Sequence, residues 1–395
     1  MKKILVTGGL GYIGSHTVVE LQEKGYGVVI IDDLSNADIS VLDRIEKITR
    51  QKPEFHKIDL RDKNAVEVFF KENLVDGIIH FAASKAVGES VENPLLYYEN
   101  NLHSLVYLLQ QCQKHAITNF IFSSSCTVYG EPDSLPITEE APVKQAVSPY
   151  GNTKQISEEI IYDTCSASEI QSISLRYFNP IGAHKSAEIG ELPKGAPQNL
   201  VPFITQTAAG LRKELSVYGN DYPTPDGSCI RDYIHVVDLA KAHVVALQRL
   251  FEKRNSSNFE IFNLGTGRGS SVLEVINAFE KVTGKKLPYK IVDRRPGDVI
   301  AVYADTTKAN KELGWKTEKN HGRSLGFCLG VGKKCKRGLV FFPFKKLYLE
   351  IFLSESSEII LSFFYEKYAT HIIFIGLYYG AGTRDLSSLW KNNRY

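Results

Sequence analysis

The stretch Gly8-Gly9-Leu10-Gly11-Tyr12-Ile13-Gly14 constrains this chain more than any other. It follows the apolar run Ile4-Leu5-Val6-Thr7 and opens a helical pattern from Gly14 to Lys24. Glycine permits a tight turn and lets the backbone approach a ligand closely. The helix N-terminus behind it offers N–H groups and roughly half a positive charge, which suits a pyrophosphate. Strand, glycine turn and helix in that order predict the first unit of a dinucleotide-binding α/β fold. The bland alternative is a turn that only packs a strand on a helix.

The next strand, Val28–Asp32, ends in an acid about 20 residues on. A carboxylate there accepts ribose hydroxyls and repels a 2′-phosphate, so Asp32 favours NAD over NADP. Asp33 beside it reads equally well as a solvated loop acid. Asp59-Leu60 follows another strand-like run and is a candidate to flank the adenine, with a plain loop acid as the alternative. Further strands are expected at Ile78–Phe81, Asn119–Ser123 and Ile173–Tyr177. Their alternation with helical patterns predicts a Rossmann-type, doubly wound parallel sheet. After Phe178-Asn179-Pro180 the pattern loosens, and Pro193, Pro197, Pro202, Pro223 and Pro225 punctuate it. The expected division is a cofactor domain over 1–179 and a smaller mixed α/β substrate domain over 180–319. Some segments of the second are expected to return to the first sheet.

Ser123-Ser124-Ser125-Cys126-Thr127 lies at the carboxyl end of a predicted strand, the edge that faces the ligand crevice. Downstream, Pro149-Tyr150 opens a helix that carries Lys154. Residues four apart share a helix face. A phenol normally ionises near pH ~10, and a neighbouring ammonium favours the phenolate. The pair therefore reads as a proton shuttle with a lowered tyrosine pKa. Tyr-x-x-x-Lys alone is common by chance; its order after the glycine turn and the serines gives it weight.

Residues 1–319 resemble the UDP-glucose 4-epimerase family, within the extended short-chain dehydrogenase/reductase superfamily. The glycine turn and Tyr150-x-x-x-Lys154 belong to the whole superfamily. Narrower matches are Leu175-Arg176-Tyr177-Phe178-Asn179-Pro180-Ile181-Gly182-Ala183-His184, Gly219-Asn220-Asp221-Tyr222-Pro223-Thr224 and Arg231-Asp232-Tyr233-Ile234-His235. The resemblance implies tightly held NAD that is not consumed. Tyr150, poised by Lys154 and the positive nicotinamide, would take a proton from sugar O4, with Ser125 hydrogen-bonded there and Ser124 as the nearby alternative. It implies NAD contacts from Gly8, Gly11, Tyr12, Ile13, Gly14, Asp32, Asp33, Asp59, Leu60, Phe81, Ala82, Ala83, Lys85, Asn100, Ser123 and Tyr177. Lys85 would meet the pyrophosphate and Asn100 the nicotinamide side; otherwise they read as a solvated lysine and a helix-start asparagine. For a UDP-sugar it points to Asn179, Asn199, Leu200, Tyr218, Arg231, Arg295 and Asp298. Two guanidinium forks suit a diphosphate. Val302 lies where relatives often carry a tyrosine, and a smaller residue there is associated with room for a 2-acetamido group. A one-residue slip would put Tyr303 there instead. His235 reads as a structural strand residue rather than a base.

The rival enzyme readings are 4,6-dehydratases and decarboxylases of nucleotide sugars. A dehydratase needs an acid/base pair, and Ser125-Cys126-Thr127 offers no carboxylate. An inactive NAD-binding protein is the reading from a different class. A net charge of +2 argues against nucleic acid or an acidic membrane as partner. No apolar run reaches the ~18 residues of a membrane span. Six cysteines without metal-like spacing fit free thiols in the cytoplasm. No metal constellation is apparent, and the family suggests a homodimer.

The chain changes character near residue 320. Residues 321–395 carry 11 Lys and Arg against 5 Asp and Glu, and 15 of the 42 aromatic residues. No clean helical or strand period runs through them. One permitted back-translation of 320–337, read in a neighbouring frame, spells Thr-Met-Glu-Glu-Ala-Leu-Ala-Ser-Ala-Trp-Val-Trp-Glu-Lys-Asn-Val-Arg. That string has an N-cap threonine, a glutamate three residues on and an amphipathic run. One extra A in the codons around Glu318-Lys319-Asn320 would produce the switch. The tail 320–395 is therefore expected to be out of frame.

Overall fold

The computed structural model describes residues 1–195, 197, 199–295 and 298–319. The tail expected to be out of frame lies outside the described residues. The first half runs β1 (Lys3–Thr7), α1 (Tyr12–Glu23), β2 (Gly27–Ile31), α2 (Ser40–Thr49), β3 (Glu54–His56), α3 (Lys63–Glu72) and β4 (Gly77–His80). It continues with α4 (Val87–Glu92), α5 (Pro94–Tyr98), a π turn over Glu99–His103, α6 (Ser104–Lys114), β5 (Asn119–Ser123), α7 (Pro149–Ser166) and β6 (Gln171–Tyr177). Then come β7 (Asn179–Ile181), α8 (Leu200–Ala208), β8 (Leu215–Tyr218), β9 (Ile230–His235), α9 (Val236–Phe251) and β10 (Phe259–Leu264). The last elements are β11 (Gly269–Ser271), α10 (Val272–Thr283), β12 (Tyr289–Val292) and β13 (Ala301–Val302).

Seven strands form one parallel sheet in the order β10-β6-β5-β4-β1-β2-β3. Strands covered on both faces need apolar residues at every position, and the sequence supplies them. Ile4, Val6, Ile30, Ile79 and Ile121 pack on the side of α1 and α9. Their neighbours Leu5, Val29, Ile31, Ile78 and Phe120 pack on the side of α3, α6 and α7. The alternation is the period of two that a strand imposes. Each such side chain fully removed from water contributes roughly 1.5–3 kcal/mol. The strand order reverses at β1, between β2 and β4, and ligands of such sheets bind beyond the carboxyl ends there.

The sheet agrees with the expected Rossmann-type fold, and α9 and β10 are the segments that return to it. The rest of the second half builds a separate small layer. In it β11, β9, β13 and β7 form a mixed sheet, and β12 pairs with β8. Val201, Ile204, Val217, Tyr233, Ile276 and Phe279 make its core. The expected helix start at Gly14 moves forward to Tyr12, and the second strand stops at Ile31, which leaves Asp32 just beyond its end.

Candidate active site

The glycine turn has the shape that its sequence demands. Gly8 sits at φ +66°, and a Cβ on it would lie 2.8 Å from the Ala82 nitrogen. A Cβ on Gly14 would lie 2.2 Å from the Gly8 carbonyl oxygen. Neither position tolerates a side chain. Gly11 caps α1 and brings no side chain to the helix N-terminus. Asp32, 8% exposed, accepts the N–H of Leu10 at 3.1 Å and of Leu34 at 3.0 Å. Burial raises its pKa. These features fit NAD: a glycine-capped helix N-terminus for the pyrophosphate and a carboxylate one strand further for the ribose. Ile13 is buried beneath the turn, and Tyr12 donates to the Gly182 carbonyl at 2.8 Å, joining the turn to the second half.

The remaining cofactor candidates divide. Phe81, Ala82 and Ala83 follow β4 at half-buried positions, with Lys85 exposed just beyond. Asn100 donates to the Ser84 hydroxyl at 3.1 Å, within the π turn. Asp33 accepts from the backbone and hydroxyl of Ser35. Asp59 is held by Arg61 at 2.6 Å, which lowers its pKa, while Leu60 is buried. Asp59 is thus already paired within its own loop.

The helix α7, which carries Tyr150 and Lys154, starts where Ser148 accepts the Gly151 N–H at 3.1 Å and Pro149 occupies the first turn. Tyr150 therefore falls in the first turn, Lys154 one turn on, and Glu158 one turn further on the same face. Ser125 lies near the Tyr150 phenol, and its hydroxyl opposes the rise of that phenol's pKa. Its oxygen also accepts the N–H of Thr127 at 3.2 Å and the Thr127 hydroxyl at 3.0 Å, which fixes its position. Lys154, 4% exposed, donates to the Ser123 carbonyl at 2.8 Å. The Ser123 hydroxyl lies 2.9 Å from the Tyr177 hydroxyl.

Two expectations need correction. Ser124 does not compete with Ser125: it is fully buried and donates to Glu158 at 2.5 Å. Arg176 grips the same carboxylate at 2.5 and 3.1 Å. The lowered tyrosine pKa is absent as well. The Lys154 ammonium is 6.0 Å from the Tyr150 ring centroid. Burial dominates and pushes the phenol well above its usual range, with Tyr177 adding to it and the Ser125 hydrogen bond opposing. Burial also pushes Lys154 down to about 8, against the pull of Glu158.

On the second half, Arg295 donates to Asp298 at 2.8 and 3.2 Å, and Arg231 reaches the same carboxylate at 3.4 Å. Arg295 lies 5.5 Å over the ring of Tyr218. Gly219 at φ +77° folds the 219–224 loop so that Tyr222 and Asp221 hold Arg294 beside them. Asn199 caps the start of α8 at Leu200 and donates to Glu191 at 2.6 Å. Asn179 begins β7, opposite Tyr233 of β9. Val302 pairs with Arg231 across β13 and β9, and packs with Cys126, Tyr129 and Phe178. Tyr303 instead lies against Gly269, 3.0 Å from where its Cβ would be. Of these neighbours, Val302 is the one packed against the catalytic serine segment. His235 caps α9, accepting the Val237 N–H at 3.1 Å, and burial lowers it to about 4. It behaves as the structural residue expected.

The sequence reading missed Glu158, Arg176, Asn101 and Asp232. Asn101, 4% exposed, bonds Ser84 through both backbone atoms and Thr153 of α7, tying the Lys85 loop to the catalytic helix. Asp232 accepts the N–H groups of Thr266, Gly267 and Ala304. Glu158 continues the Tyr150–Lys154 spacing, and Arg176 lies inside a quoted motif; those were the available signals. Among the described residues the four cysteines are free, no group of three ligating side chains could hold a metal ion, and no helix is long and apolar enough to cross a membrane.

A family model described as GDP-mannose 4,6 dehydratase matches residues 5–322. The chain is 51% identical over 317 residues to a UDP-glucose 4-epimerase of Bacillus subtilis, covering 80% of this chain and 92% of that protein. It superposes with a TM-score of 0.81 on a Bifidobacterium longum UDP-glucose 4-epimerase, crystallised with NAD+ and UDP. The identity is 48%, over 85% of this chain and 99% of that one. A UDP-Glc/GlcNAc 4-epimerase from Campylobacter jejuni matches with a TM-score of 0.72 and 35% identity, over 84% and 98% of the two chains. The glycine cradle, the Ser125–Tyr150 contact and these likenesses agree, and the chain belongs to the UDP-glucose 4-epimerase family.

Proposed function

We infer that the chain interconverts UDP-galactose and UDP-glucose at sugar C4 through a transient 4-keto sugar, with NAD as a retained cofactor. The carrying observation is the buried Tyr150, one turn before Lys154 on α7 and near Ser125, at the carboxyl edge of the parallel sheet. When bound, NAD supplies a reversible acceptor for the hydride from C4 and a positive charge near the phenol. Tyr150 takes the O4 proton as the C4–H bond is lost and returns it when hydride comes back to the other face. Ser125 holds O4 in line with that phenol. Lys154 is fixed by the Ser123 carbonyl, where its ammonium can orient the cofactor side. The buried location keeps water from the keto sugar.

On this reading Arg231 and Arg295 bind the UDP diphosphate, exchanging Asp298 for phosphate oxygens. Asp298 then takes the ribose hydroxyls, and Asn179, Asn199, Leu200 and Tyr218 complete the substrate half over 180–319. Residues 1–179 hold NAD, with Lys85 on its pyrophosphate. Dehydration stays disfavoured, because the carboxylate nearest the serines is Glu158, which is bound by Arg176 and Ser124. The small Val302 supports acceptance of UDP-N-acetylglucosamine. A cytoplasmic homodimer is part of the same proposal. Exposed Val91 of α4 and Leu95 of α5, helices that pack on α7, and Tyr162 of α7 itself are apolar surface of the kind that pairing covers.

Incubating the protein with UDP-galactose and no added NAD tests the reading. UDP-glucose is the expected product. A 4-keto-6-deoxy sugar would identify a dehydratase, and no product at all would favour a binding protein. Absence of any UDP-N-acetylglucosamine turnover by a frame-corrected enzyme would remove the claim about Val302.

A further inference from the structure

The loop between β7 and α8 is fastened to the cofactor half at several points. Ala183 pairs with Gly190 within the loop. Lys194 donates to the carbonyls of Leu34 at 2.8 Å and Ser35 at 3.1 Å, just past Asp32. In the middle stands Glu191, with a side chain 12% exposed. Its Oε1 accepts from Asn199 Nδ2 at 2.6 Å and lies 3.5 Å from Lys85 Nζ. One carboxylate oxygen thus serves both the lysine assigned to the NAD pyrophosphate and the asparagine assigned to UDP.

We propose that Glu191 couples the two ligand subsites, holding Lys85 and Asn199 together in the ligand-free protein and releasing both when either ligand binds. The proposal rests on the assignments of Lys85 and Asn199 made under the function above. A carboxylate is a poor neighbour for two diphosphates, since like charges repel. It is stable where it stands because the Lys85 ammonium compensates it. When the NAD pyrophosphate draws Lys85 away, Glu191 retains, among the described residues, the neutral donor Asn199, and water solvates a carboxylate better than one amide does. The side chain then turns outward and frees Asn199 before UDP arrives. UDP no longer has to break that bond, so bound NAD raises UDP affinity. Linkage makes the effect reciprocal, and UDP strengthens the hold on NAD. Glu191 is therefore a positioning residue, acting through Lys85 and Asn199 rather than on the sugar.

The test titrates UDP into the full-length chain in NAD-free and NAD-saturated forms, for wild type, Glu191→Gln and Lys85→Met. The wild type is expected to bind UDP roughly five- to tenfold tighter with NAD present. In Glu191→Gln and in Lys85→Met that ratio is expected to fall to within about twofold of one. A merely structural glutamate would lower both affinities and leave the ratio alone. A wild-type ratio near one, or a ratio unchanged in either variant, overturns the coupling while leaving the epimerase assignment intact. Failure of the wild type to bind either ligand overturns that assignment and the coupling with it.

Discussion

Lys154 offers a direct measure of what this site costs the fold. Its ammonium is 4% exposed, donates one hydrogen bond to the Ser123 carbonyl and lies 4.7 Å over the Phe122 ring. Burial lowers its pKa from 10.5 to about 8. At 1.36 kcal/mol per unit, that shift corresponds to about 3 kcal/mol of destabilisation when the group is charged in both states. The sign follows from proton binding. Between pH 8 and 10.5 the unfolded chain binds the proton and the folded one does not, so stability rises with pH through that window. The penalty is fully present below pH 8 and gone above 10.5. Lys154→Met removes the charge and keeps the aliphatic stem. It also forfeits the bond to Ser123, worth roughly 1.5–3 kcal/mol for a charged donor. The net expectation at pH 7 is a variant at least as stable as the NAD-free wild type, with turnover lost. At pH 10.5 the variant falls below the wild type. Urea denaturation of both NAD-free proteins at the two pH values checks this, since other titrating groups cancel in the difference. The same gap at both pH values would sink the reasoning.

Tyr150→Phe should lower kcat roughly 10²–10⁴-fold with an unchanged melting temperature, and Ser125→Ala should also lower kcat, by a smaller factor; steady-state assay with UDP-galactose decides. Glu158→Ala leaves the Arg176 guanidinium buried without its carboxylate and should cost about 3–5 kcal/mol, read from urea midpoints; Glu158→Leu combined with Arg176→Met should cost clearly less. Val302→Tyr should shift the ratio of kcat/KM values against UDP-N-acetylglucosamine by at least about tenfold while sparing UDP-galactose, at an overpacking cost of roughly 1–3 kcal/mol. A frame-corrected gene, read after independent sequencing across the codons for 318–320, should give a protein with higher soluble yield and melting temperature; equal values refute the frameshift.

What could be read from the sequence was local. A glycine turn depends largely on neighbours within seven residues, and a Cβ on Gly14 would strike the Gly8 carbonyl oxygen at 2.2 Å. The Tyr150–Lys154 face depends only on helical spacing. What could not be read depends on segments far apart in the chain. Glu158 was visible as the next turn of that face, but its partner Arg176 comes from β6, and only their pairing removes Ser124 from the chemistry. Val302 ends the two-residue strand β13 and Tyr303 follows it, too short a run for alternation to fix which faces inward; the packing against Cys126 and Gly269 decides it. The sign of the tyrosine shift failed for the same reason. Spacing places a lysine one turn away, whereas the pKa answers to everything that excludes water, and here burial raises the phenol and lowers the amine together. Those opposite shifts mean that the pair is no self-sufficient shuttle. A neutral phenol beside a weakly held ammonium becomes a base only when another positive charge enters the same dry space, and NAD is the group that brings one. On the proposed function, proton transfer by Tyr150 then depends on the charge that the bound cofactor brings, since burial alone favours the neutral phenol.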